Sequence, residues 1–386
     1  MNTLATVTAD AGSNQDIVEK AEALGQIFAA RAQAADEEDC FVTENYKVLK
    51  TSGLIEAGVP AELGGGGAEP AELAAMLRTL ARHCSSTALA LSMHTHQVAI
   101  PAWRWRHQKV KAVEPLLKRI AAEKLVLVTS GGSDWVAGSG DAVKVDGGYR
   151  ITARKIFSSA SPAGDLMTTS AVLKGENGEP DMVLHFGVPM TSPHVKVLDT
   201  WHTMGMRSTG SHDVMIDGHV VPEAGVMLKR KAGEWHPVFQ VIATIALPLI
   251  YSVYLGVAES ARDIAVNIAR NRRADRHITG LVGRMETELM GAQLAVNGML
   301  GVVAENAPSA DTVNRVMMAR TLAARHMLAA TEIAMEAAGG QSFYRKAGLE
   351  RRFRDIQGAR FHPMQQGPQS EYAGLMALGL PVDKIF

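Results

Sequence analysis

The chain has 386 residues, 47% hydrophobic and 20% charged, enough to bury a large core and to divide into two or three domains. Lys and Arg (39) balance Asp and Glu (40) to a net charge of −1, and no basic stretch is present to follow a phosphate backbone or an anionic bilayer. Nucleic acid and charged membrane surfaces are thereby excluded as expected partners.

The only cysteines, Cys40 and Cys84, lie far apart with no CxxC or Cys/His spacing, so neither a disulfide framework nor a metal site is expected. A reducing, cytoplasmic setting fits. MNTLATVTADAGSNQ lacks a basic segment followed by an apolar run, which predicts no signal peptide.

From Asp16 to about Lys118, DIVEKAEALGQIFAARAQ and PAELAAMLRTLARHCSSTALALSMHTHQVA place apolar residues at helical spacing. The Gly-rich stretch VPAELGGGGAEP between them follows no strand and lacks Gly-Lys-Ser/Thr, so it reads as a structural turn and not a phosphate loop. After about Leu125 come short β-branched runs separated by Gly, Asp and Pro, among them VKVDGGYRITARKIFSSA, LMTTSAVL, DMVLHFGVPM and HDVMIDGHVVP. These predict antiparallel strands. Near Pro237 the helical pattern returns and runs through EIAMEAAGG, where Gly339 and Gly340 stop it. Val238 to Ala258 carries no charge over a membrane-spanning length, but Pro248 and the polar Gln240, Thr244 and Ser252 favour a helix buried within a bundle. The expected organisation is α+β: a helical domain over residues 1–124, a β domain over 125–236 and a helical bundle over 237–386.

Several segments occur in an order that resembles the acyl-CoA dehydrogenase superfamily across nearly the whole chain. VPAELGGGG is similar to its early turn, VTSGGSD (Val128 to Asp134) to its L-T-E-P-x-x-G-S-D segment, and ARKIFSSAS (Ala153 to Ser161) to its G-x-K-x-W-I-T-N segment. MGMRSTGSHDVMIDGHVVP resembles the strand pair closing its β domain, and EAAGGQSF with ERRFRDIQGARFHP its final helices. The resemblance implies an N-terminal helical domain, a central antiparallel, barrel-like β domain and a C-terminal four-helix bundle, assembled as a homotetramer with FAD between the last two domains. Thr129, Ser130, Phe157, Ser158 and Ser159 match the segments that hold the flavin ring, where hydroxyl and backbone groups stabilise charge gained on reduction. Arg272 and the Gly339-Gly340 turn match the residues that bind the FAD phosphates, Arg by its two-pronged donor geometry. The chain departs from the pattern here, with RRADR, Gly283 and Glu336 in place of the usual residues, which leaves FMN or an exchangeable reduced flavin as alternatives.

The larger departure concerns the base. Abstracting an α-proton from an acyl thioester needs a carboxylate with a tuned pKa. Where the family has Tyr-Glu after its Arg-Asp dipeptide, this chain has His362-Pro363 after Arg354-Asp355; where other members carry Glu on a helix, it has Ala246. The next acid is Glu371. A branch resembling dibenzothiophene monooxygenase needs no such base and surrounds its flavin with an N-domain His, a loop Ser and a His in an F-H-P-like segment. His94 or His96, Ser159 and His362 match these, with His94, Ser159 and His362 as the expected catalytic set. No dinucleotide fingerprint for NAD(P)H is present, so a monooxygenase would take reduced flavin from a separate reductase and act on a small organic substrate. Two other readings stay open: an acyl-CoA dehydrogenase with a displaced base such as Glu371, passing electrons to an electron-transfer flavoprotein, and a non-catalytic scaffold.

Overall fold

A computed structural model describes residues 11–130, 136–270 and 275–382. Five helices come first: α1 (Ala11–Glu37), α2 (Thr43–Ser52), α3 (Pro70–His83), α4 (Ser85–His107) and α5 (Glu114–Glu123). Eight strands follow: β1 (Leu127–Thr129), β2 (Asp141–Val145), β3 (Gly148–Lys155), β4 (Leu166–Leu173), β5 (Met182–Pro189), β6 (Val195–Val197), β7 (Val214–Pro222) and β8 (Val226–Lys231). The chain then returns to helix: α6 (Val238–Ala269), α7 (Arg276–Ala304), α8 (Ala310–Ala338), α9 (Leu349–Ile356) and α10 (Gln366–Leu378).

The helix ends follow local chemistry. Pro70 opens α3 with Glu69 and Glu72 bonding each other's backbone in a capping box. The Asp275 carboxylate accepts the His277 and Ile278 amides at the start of α7, and Ser309 with Thr312 caps α8. Gly339, at φ +63°, ends α8 in a conformation that few other residues tolerate.

The sheet runs β6-β7-β3-β2-β4-β5-β8, with β1 beside β4. The expectation of an antiparallel domain is corrected here, because β1 and β2 both lie parallel to β4. β1 pairs with the start of β4 (Leu127↔Leu166 to Thr129↔Thr168) and β2 with its end (Asp141↔Val172, Ala142↔Leu173). The two short strands thus share one edge of β4. Among the described residues no pairing joins β6 to β8, so the hydrogen-bonded path is an open mixed sheet and not a closed barrel.

One core joins α1, α3, α4, α6, α7 and α8, and a second fills the inner face of the sheet. Helix α6 is long and apolar enough to cross a membrane, but 94% of its most apolar window is buried against protein. Helix α4 lies between α6 and β1, and α9 packs on α6 and α8. The candidate site lies where these elements meet.

Candidate functional site

His94 and His96 are two residues apart on α4, so they point to different sides of the helix. The two nitrogens of His94 are both committed to backbone: Nε2 donates to the Ile55 carbonyl at 2.8 Å and Nδ1 accepts the Leu127 amide at 2.9 Å. Burial pushes its pKa from 6.5 down to about 4, so it is a neutral brace between α4 and β1, with no nitrogen left for a ligand. His96 faces the other way. Its Nδ1 donates to the Ser92 carbonyl at 3.0 Å, which leaves Nε2 to accept from the Gln97 amide at 3.1 Å. Gln97 in turn accepts the Thr168 hydroxyl at 2.8 Å, and Thr168 is the register partner of Thr129. A polar chain therefore runs from the end of β1 and its neighbour to His96, whose pKa burial also lowers to about 4. Ser130 and Thr169 share a bond of 3.2 Å one step further along the same strands.

Beyond β3 the backbone turns sharply, with Phe157 and Ala160 both in the left-handed region. The Phe157 ring stands 56% exposed, held edge-on to Trp201 at 5.9 Å. Ser158 points inward, fully buried, toward the Lys155 carbonyl. Ser159 is buried and shares a bond of 2.8 Å with Ser211, which meets Thr209 at 2.7 Å; Thr209 donates to the Met206 carbonyl at 2.9 Å. The Thr209 proton is spent on Met206, so Ser211 must donate to Thr209 and Ser159 to Ser211. In that order of donation Ser159 presents a lone pair to whatever lies beyond it. The chain is anchored by α9, where the buried Asp355 carboxylate accepts the Met206 amide at 2.6 Å and the Ser85 hydroxyl.

His362 follows a short turn after α9. Its Nε2 lies 2.7 Å from the Tyr254 hydroxyl of α6, with the rings 5.4 Å apart. Arg320 of α8, buried among apolar residues, donates through Nη2 to the carbonyls of Ala359 (3.1 Å), Arg360 (3.3 Å) and His362 (2.6 Å) and lies over the Tyr251 ring. Tyr251 also donates to the Ala359 carbonyl at 2.7 Å. Burial, with Arg320 and His96 adding to it, pushes His362 down to about 3. No carboxylate acts on this imidazole. Ala246 is buried in the core, and Glu371 is exposed on α10, bonded to nothing that reaches His362.

The sequence profile described as "Acyl-CoA dehydrogenase, N-terminal domain" matches residues 14–120, and that described as "Acyl-CoA dehydrogenase, C-terminal domain" matches residues 249–366. The chain belongs to the acyl-CoA dehydrogenase superfamily. Among curated members it is 28% identical to the amino sugar nitrososynthase DnmZ of Streptomyces peucetius, over 91% of this chain and 90% of the relative. It is 27% identical to the pigment production hydroxylase of Rhodococcus sp. (strain ATCC 21145), over 95% and 97% of the two chains. The solved structure of KijD3 in complex with FMN and dTDP-3-amino-2,3,6-trideoxy-4-keto-3-methyl-D-glucose superposes with a TM-score of 0.87 at 25% identity, covering 99% of this chain and 97% of that one.

A superfamily member needs a place for a flavin ring, and the residues here suit one chemically: an exposed aromatic flank in Phe157, a hydroxyl oxygen in Ser159, and hydroxyls on Thr129 and Ser130. Gly340, which the resemblance matches to a phosphate-binding turn, is exposed, and a Cβ there would meet nothing within 4 Å. Arg272 lies outside the described residues.

Sequence reasoning missed Gln97, Tyr254 and Arg320, because a glutamine, a tyrosine and an arginine on long helices carry no motif. The signal for Arg320 was a charge in an apolar helical run, MMARTLAA.

Proposed function

We propose that this protein is a flavin-dependent monooxygenase that takes reduced flavin and dioxygen to a small organic substrate. As a superfamily member it is a flavin-dependent oxidoreductase, using FAD, FMN or an exchangeable reduced flavin. The observation that carries the monooxygenase reading is His362: where the resemblance puts a carboxylate base, the chain has an imidazole bonded to the Tyr254 hydroxyl, with burial, Arg320 and His96 all disfavouring its charged form. An imidazole whose pKa burial lowers, and whose Nε2 is engaged by the Tyr254 hydroxyl, is a poorer base for an α-proton than a carboxylate tuned upward. The nitrososynthase and hydroxylase relatives point the same way.

In this reading Thr129, Ser130, Phe157 and Ser159 hold the ring, and Arg272 with Gly339 and Gly340 the phosphate. Reduced flavin, when bound, supplies the two electrons that activate dioxygen; substrate, dioxygen and reduced flavin give oxygenated substrate, water and oxidised flavin. Tight packing around His96, Tyr254 and His362 keeps bulk water from the reacting oxygen. His362 and His96 are the catalytic candidates, His94 having been committed to bracing β1. A separate reductase supplies the electrons.

The division at 124/125 and 236/237 belongs to this reading, as does a C-terminal four-helix bundle of α6, α7, α8 and α10. Met290 and Leu294 on α7, with Met318 and Leu322 on α8, expose an apolar stripe that suits assembly into a homotetramer. The free Cys40 and Cys84 suit a cytoplasmic location.

The test combines two experiments. Protein loaded with oxidised flavin is mixed anaerobically with fatty and branched acyl-CoAs, and no bleaching is expected. Protein supplied with FMNH2 and labelled dioxygen is then screened against amino sugars, aromatic amines and organosulfur compounds, and one oxygen atom is expected in a product. Bleaching by an acyl-CoA would overturn the reading.

A further inference from the structure

The bond between Tyr254 and His362 fixes where a proton sits. The Tyr254 hydroxyl is fully buried, and among the described residues its one hydrogen-bond partner is His362 Nε2, at 2.7 Å. If Nε2 carried the proton, the phenolic hydrogen would be a buried donor with no acceptor, which costs about 1–3 kcal/mol. The phenol must therefore donate to Nε2, and the imidazole proton must be on Nδ1. That is the opposite of the Nε2–H form that an unconstrained histidine side chain favours. His362 is half-buried, and among the described residues its one side-chain hydrogen bond is that of Nε2, so an Nδ1 proton stays available to a ligand.

The surroundings hold this arrangement in place. A Cβ at residue 358 would lie 2.6 Å from the Tyr254 hydroxyl, so Gly358 is what lets the phenol reach the imidazole. Arg320 pins the His362 carbonyl and Tyr251 the Ala359 carbonyl, fixing the turn that carries the ring. We propose that Tyr254 is a positioning residue that locks His362 as its Nδ1–H tautomer, so that the site presents a fixed N–H donor where a dehydrogenase presents a base. The ligand for such a donor is an oxygen atom with a lone pair or developing negative charge, which it stabilises without surrendering its proton. The groups facing this ring are Arg320 from α8, His96 from α4, and Tyr251 and Tyr254 from α6, with Asp355 of α9 acting on Tyr254; the nearest charge is positive and disfavours an imidazolium.

The inference rests on the monooxygenase reading for its purpose but is tested without flavin. Protein labelled with 15N-histidine is studied by long-range 1H–15N correlation, with His362→Ala used to assign the signal. His362 is expected to show a protonated Nδ1 and an unprotonated Nε2, unchanged from about pH 5 to pH 9. In Tyr254→Phe the proton is expected to move to Nε2, with kcat falling about tenfold and KM within about twofold. An Nε2–H signal in the unmodified protein overturns the proposal, as does an unchanged tautomer in Tyr254→Phe. Bleaching by an acyl-CoA would overturn the monooxygenase reading and leave the tautomer standing, so the two failures are distinguishable.

Discussion

The Asp355 carboxylate accepts the Met206 backbone amide at 2.6 Å, and through it helix α9 holds the loop whose hydroxyls reach Ser159. Burial raises the Asp355 pKa, while the Ser85 hydroxyl and the Met206 amide hold it down. Gly205 makes the contact possible, because a Cβ there would lie 2.3 Å from the Arg354 carbonyl. Asp355→Ala strands two buried donors and should cost about 2–4 kcal/mol in urea unfolding, with weakened flavin binding. Asp355→Asn keeps an acceptor for Met206 and should recover at least half of that loss. Equal stability for Asp355→Ala and the unmodified protein would show that the clamp is idle.

Gln97 sets the state of His96. Its amide donates to Nε2 while its carbonyl accepts the Thr168 hydroxyl. In Gln97→Glu a carboxylate stands beside Nε2, and an opposite charge within bonding distance favours the protonated ring. The His96 pKa should rise from about 4 by about 1–3 units, read by NMR titration, and an acid limb should appear in the activity profile. A His96 that still titrates near its present value would dissolve the polar chain from β4 to α4.

Much of the architecture was legible because it rests on periodicity and on stop signals that act locally. The three-to-four spacing of α3, the Gly339-Gly340 stop and the buried apolar α6 all express what the chain needs within a turn or two. The parallel pairing of β1 and β2 with β4 was not legible, since it depends on which distant strand lies alongside, and residues such as LVT carry no mark of direction. The same limit governs the site. His362 stood out by replacing a carboxylate in a known segment, but Tyr254, 108 residues earlier, meets it only through the packing of α6 against the turn after α9. Which of His94 and His96 keeps a side free of backbone bonds was not legible for a similar reason: two residues on one helix differ only in what each faces.

Acid should destabilise the fold through its buried histidines. His94 and His96 are pushed down to about 4 and His362 to about 3, while the unfolded chain titrates near 6.5. Their contribution is fully present above about pH 6.5 and drains as pH falls, because the unfolded chain takes up protons that the native one refuses. Each histidine contributes a slope of about 1.4 kcal/mol per pH unit inside its window. Urea midpoints should therefore drop markedly between pH 7.5 and pH 5, and His94→Gln should show a shallower drop. A midpoint that stays level across that range would mean these rings are not buried as neutral groups.

The apolar stripe on α7 and α8 gives the assembly a test. Leu294 is 64% exposed and Met290 lies one helical turn before it. Leu294→Glu, combined with Leu322→Glu, places charge at two points of the stripe and should convert the proposed tetramer to smaller species in light-scattering chromatography. Stability of the isolated chain should change by less than about 0.5 kcal/mol, since both side chains already meet solvent. A mass unchanged by the double substitution would remove the stripe from the interface.

Phe157 occupies a left-handed backbone position that costs a non-glycine residue about 1–2 kcal/mol, and more than half of its ring is exposed. Fold stability alone does not explain that combination. Its edge contact with Trp201 returns about 0.5–1.5 kcal/mol, so the two effects nearly cancel in the protein without flavin. Phe157→Gly should thus leave flavin-free stability within about 1 kcal/mol while weakening FMN binding by about tenfold, because the aromatic flank of the ring is lost. Phe157→Trp should retain the binding, which separates loss of an aromatic face from loss of the turn. If Phe157→Gly binds FMN as well as the unmodified protein does, the flavin ring does not lie against this loop.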